Sequence, residues 1–107
     1  MDFNIDEVLA QMLTAVQGAV QDNWEMVKGP ASGFLQARRL RLDLLASLRL
    51  KNQIDEQFFE DRLNDEKDIM TSELHAIAII SKVTAQNAAN AALGVLQKAV
   101  GAIIGHV

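Results

Sequence analysis

The amino-acid sequence predicts an all-α fold: an elongated bundle of about three helices, the last two long, completed by association of identical copies. Three observations predict it. Apolar residues recur at three- and four-residue spacing along most of the chain. One proline and six glycines in 107 residues are too few for the many turns of a β-protein. The stretch from Phe34 to Gln53 is rich in Leu and Arg, strong helix formers, and lacks β-branched residues altogether. Half of the residues are hydrophobic, which is a composition that folds. The length fits a single helical domain spanning 1–107.

The first helix is expected over about 4–28. Asn4 is its N-cap, with Glu7 three residues on as the capping-box partner. Ile5, Val8, Leu9, Met12, Ala15, Val16, Ala19, Val20, Met26 and Val27 share one face, and Gln11, Thr14, Gln17, Gln21, Asp22 and Glu25 lie opposite. Asn23 falls within the apolar face, where a polar residue can fix register. Trp24 stands at the edge of that face, either covering the core or anchoring a partner. Gly29-Pro30 ends the helix, since glycine suits the position past a helix and proline cannot continue one.

The second helix is expected over about 33–63, with Ser32 as its cap. Leu40, Leu42 and Leu44 alternate with Arg39, Arg41 and Asp43, as a strand would, but the helix-forming composition overrides that pattern. As a helix, Leu40, Leu44, Leu45 and Leu48 form one stripe, while Leu42 and Leu50 face elsewhere, so this helix has more than one neighbour. Ile54, Phe58, Phe59 and Leu63 resume the stripe, and Lys51 pairs with Asp55 four residues on.

The third helix is expected over about 65–104, capped at Asn64-Asp65 unless the second helix runs straight through. At 1.5 Å per residue the three helices would be about 37, 45 and 60 Å long. That mismatch leaves the far end of the last helix uncovered by its own chain. A second copy is therefore expected to cover a face made of Leu74, Ile77, Ser81, Ala85, Ala88, Ala92, Val95, Ala99, Ala102 and Ile103. Its alanines allow close helix approach.

Charge is unevenly distributed. Arg38, Arg39, Arg41, Arg49 and Lys51 are followed by Asp55, Glu56, Glu60, Asp61, Asp65, Glu66 and Asp68. Two antiparallel copies would set the basic block against the acidic one, so these arginines, with Trp24, are the expected partner and charge-pairing residues.

Composition excludes several functions. There is no cysteine, hence no disulfide, thiolate metal site or thiol nucleophile, and the absence fits a cytoplasmic setting. Glu-x-x-His, the ligand pair of di-iron bundles, is missing, so no metal or other cofactor is expected. Only His75 and His106 are present, without a base-and-orienter arrangement for Ser72 or Thr71, so no enzyme is expected. Met1 is followed by Asp2, Asp6 and Glu7, the wrong charge for a signal peptide. The net charge of −4 argues against general nucleic-acid affinity. The resulting expectation is a non-enzymatic assembly or adaptor protein acting by self-association and helix–helix binding. Two alternatives are kept: membrane association through the apolar tract 76–104, and DNA binding through Arg38 to Arg49.

Overall fold

Asn4 begins the first helix as its sequence directs. Its Oδ1 accepts hydrogen bonds from the backbone N–H groups of Asp6 and Glu7, at 3.0 and 3.2 Å, and so satisfies two donors that a helix start leaves unpaired. The structure is a computed structural model that describes residues 3–105. It contains five α-helices: α1 (Ile5–Val20), α2 (Trp24–Ala37), α3 (Arg39–Leu50), α4 (Glu56–Ile77) and α5 (Lys82–Ile104). A single 3-10 turn, Gln21–Asn23, joins α1 to α2. No strand occurs among the described residues, and 87% of the structure is helix. Helices α2 and α3 adjoin at one residue, Arg38 (φ −96, ψ 1), so the chain forms four helical legs rather than three.

Each expected boundary moves, for an identifiable reason. The first break comes at Gln21, not at Gly29-Pro30. Gln21 adopts φ 48, ψ −108, a conformation costly for a residue with a Cβ, and this turns the chain out of α1. Asn23 consequently sits in the 3-10 turn rather than on a helix face. Helix α2 then runs through Gly29, Pro30 and Ser32. The proline removes one backbone donor, but Val27, Ala31, Phe34 and Leu35 bury on both sides of it, and packing holds the helix together across the gap.

The expected second helix, 33–63, is interrupted over residues 51–55. Asn52 takes a left-handed φ of 59, and Asp55 caps α4 by accepting from the N–H of Phe58 at 2.8 Å. Lys51 and Asp55 therefore do not form a helical pair. Asn64 and Asp65 are interior to α4, which runs unbroken through them. The expected third helix, 65–104, is in fact the second half of α4, a turn, and α5. Ser81 makes that last break: its Oγ accepts from the Thr84 N–H at 3.0 Å and starts a new helix. His75 Nδ1 lies 3.2 Å from the Ile80 carbonyl oxygen and ties the turn back to α4.

With these breaks the chain folds back on itself. Helix α5 packs along α1 and α4; α2 packs on α1 and α4; α3 packs on α4 and α5. One hydrophobic core draws side chains from all five helices, with Met12, Val16, Val27, Leu42, Leu74, Ala88, Ala92 and Leu93 fully excluded from water. The radius of gyration is 13.5 Å, close to the ~13 Å of a compact chain of this length, and the extents are 42 × 23 × 21 Å. The elongated bundle of unequal legs is thus replaced by one whose longest helix spans 23 residues.

Candidate interaction surface

The kink between α2 and α3 and the long α4 bring the basic and acidic blocks together inside one chain. Arg38 donates to Glu66 through Nε at 3.0 Å and Nη2 at 2.7 Å, and Arg41 donates through Nε to Glu66 Oε1 at 2.7 Å. Glu66 is only 2% exposed, whereas Arg38 and Arg41 keep part of their surface in water. A carboxylate this buried is stable only when hydrogen-bonded and charge-paired, and here two guanidiniums do both. The hydrogen bond with Glu66 raises the pKa of Arg38 above its ordinary value, so its charge is fixed. Arg39 forks onto Asp6 at 2.7 and 3.2 Å, joining α3 to the start of α1. That hydrogen bond holds the exposed Asp6 carboxyl below its ordinary value. Arg49 closes the loop after α3, donating to Asn52 Oδ1 and the Ile54 carbonyl, both at 3.4 Å. The four arginines expected to meet an acidic block on another copy thus meet acceptors of their own chain. Trp24 is half-buried and packs against the core.

The face assigned to a second copy is divided by the fold. Leu74, Ala85, Ala88 and Ala92 are buried completely within the one chain. Val95 and Ala99 are half-buried against the same core. Ile103 is half-buried, and Ile77, Ser81 and Ala102 are exposed. The close approach expected of the alanines is realised, but α5 makes it with α1 and α4 of its own chain.

Apart from Met26 on α2, the large apolar side chains left in water form two groups. One group lines α3 and α4: Leu40 (76% exposed), Leu44, Phe58 and Ile69. The other sits at the α4–α5 turn: Ile77, Ile79 (87% exposed) and Val83. Along α3 and α4 an apolar groove of about 160 Å³ is lined by Leu44, Leu45, Leu48 and Phe58, with Arg41, Arg62 and Glu66 at its borders. A cavity of about 150 Å³ holds a benzene molecule, so this groove accepts one bulky apolar side chain. The Arg62 guanidinium lies 5.1 Å over the Phe58 ring and pairs with Asp65 at 3.0 Å, yet its Nε is buried without a partner. The sequence pattern places Leu40, Leu44, Leu45 and Leu48 on one stripe that Ile54, Phe58, Phe59 and Leu63 resume; the break at 51–55 folds the two parts back so that Leu44, Leu45 and Leu48 face Phe58 across the groove.

A larger groove of about 550 Å³ lies between α5, the end of α3 and the start of α4, and mixes Arg49 and Lys98 with Glu56 and Glu60. No group of three or more metal-ligating side chains occurs among the described residues. Among them, too, no helix is long and apolar enough to cross a membrane. His106 lies outside the described residues. Comparison with protein-family models, with curated proteins and with solved structures yields no match.

Proposed function

We propose that this chain is a non-enzymatic helical assembly or adaptor protein that works by self-association and by binding partner helices. One observation carries the reading: the core closes within a single chain, yet two separate groups of large apolar side chains stay in water. A small chain with a complete core gains nothing in its own stability from exposing Leu40, Leu44, Ile77 and Ile79. Apolar groups clustered in this way mark interaction surfaces. The DNA-binding alternative is weakened, because Arg38, Arg39 and Arg41 are each held by a carboxylate of the same chain.

Light scattering across a concentration series tests the reading. Reversible growth of mass with concentration is expected, with the growth reduced by Leu44→Glu on α3 or by Ile79→Asp at the α4–α5 turn. A protein that stays monomeric at every concentration overturns self-association.

A further inference from the structure

Helix α4 carries a stripe whose order is complementary to its own reverse: Phe58, Arg62, Asp65, Ile69. At 3.6 residues per turn these four positions fall within an arc of about 60° and extend over about 16 Å. Phe58, Asp65 and Ile69 are exposed and Arg62 is half-exposed. The pattern is apolar, cationic, anionic, apolar.

We infer that this stripe is a twofold interface between two copies of the chain, with the α4 helices antiparallel and the axis passing between Leu63 and Asn64. A twofold contact requires a surface complementary to itself. In this register Phe58 of each copy lies over Ile69 of the other, and Arg62 of each copy faces Asp65 of the other. Apolar meets apolar and each charge meets its opposite, at both ends of the contact. An antiparallel pairing of basic and acidic residues thus operates between copies, but within α4. Of the blocks that the sequence suggested for it, Arg38 and Arg41 are held by Glu66 of their own chain.

Two features favour a second copy over another occupant. The stripe is complementary to its own reverse, so a second copy presents an acidic group to the half-exposed Arg62, whose guanidinium in the single chain pairs with Asp65 of its own helix at 3.0 Å. A charged pair at the middle of the stripe also makes burial in lipid costly. On the α3 side, Leu44, which lines a groove with Phe58, widens the apolar border.

The inference rests on the reading of the chain as self-associating, and charge reversal separates the two. Arg62→Asp and Asp65→Arg each set like charges against one another twice in the dimer, and each is expected to weaken dimerisation at least about tenfold by sedimentation equilibrium. The double variant is expected to dimerise like the wild type. So is an equimolar mixture of the two single variants, because every 62–65 contact in the mixed dimer is again between opposite charges. Circular dichroism checks that helix content is kept. Phe58→Ser, at an exposed site, provides a charge-independent loss of dimerisation. If the wild type associates while the single variants associate equally well, or if the mixture stays monomeric, the α4 register is wrong and self-association stands. A monomeric wild type overturns both.

Discussion

Glu66 is the residue on which sequence and structure differ most. In the sequence it is one of seven acidic residues between 55 and 68 and has no distinguishing mark. In the fold it is the only buried charged side chain among the described residues, enclosed by Arg38 and Arg41. The consequences of removing each partner are unequal. Arg38→Ala leaves a buried carboxylate with one guanidinium in place of two and is expected to cost about 2–3 kcal/mol. Glu66→Leu leaves two arginines that can turn to water, and an apolar side chain of similar size fills the gap. It is expected to change stability by no more than about 1 kcal/mol. Urea unfolding of both variants checks the order, and equal losses would show that the carboxylate is not the costly group.

At the scale of elements, the breaks before α4 and α5 are marked by one or two residues acting locally. Asn52 accepts a left-handed conformation, Asp55 caps α4 and Ser81 caps α5. All three residue types are visible in the sequence, but Asn, Asp and Ser also occur inside helices, and nothing local says which of them caps. Asn64 and Ser32 have the same credentials and lie within α4 and α2. Pro30 is the sharpest case. Its ring breaks isolated helices, yet α2 passes through it because four buried side chains surround it. The missing backbone donor remains, so Pro30→Ala is expected to raise stability by about 2 kcal/mol. This is the helix penalty of about 3 kcal/mol less the entropy that proline removes from the unfolded chain. Thermal and chemical denaturation measure it, and a destabilised variant would mean that the ring itself packs in the core.

For the whole molecule, the alanine face of α5 decides the shape. Ala85, Ala88, Ala89 and Ala92 are entirely buried, so α5 sits close against its neighbours and has no room for larger groups. Ala92→Leu is expected to cost about 3 kcal/mol or more by overpacking. Ala102→Leu, on the exposed end of the same helix, is expected to stay within about 0.5 kcal/mol. Denaturation midpoints of the pair check this. Similar losses at both sites would place Ala102 against a neighbour, as the expected interface between copies required.

Residue order alone is enough to establish that the chain is helical, which face of α1 is buried, and that Asn4 caps the first helix. These follow from periodicity and from a side chain reaching its own backbone, both local properties. On α3 the expected stripe leaves Leu40 and Leu44 in water while Leu42 is buried. Packing between distant segments sets how many legs there are, folds α5 back along α1, and brings the arginines to Glu66 and Asp6 of their own chain. Those outcomes depend on which buried faces close over one another, and no short stretch of sequence contains that competition. The same closure moves the candidate interface. The alanine stripe that looks unpartnered in one helix is largely covered by the chain itself, and the large apolar side chains left in water lie mainly along α3 and α4 and at the α4–α5 turn.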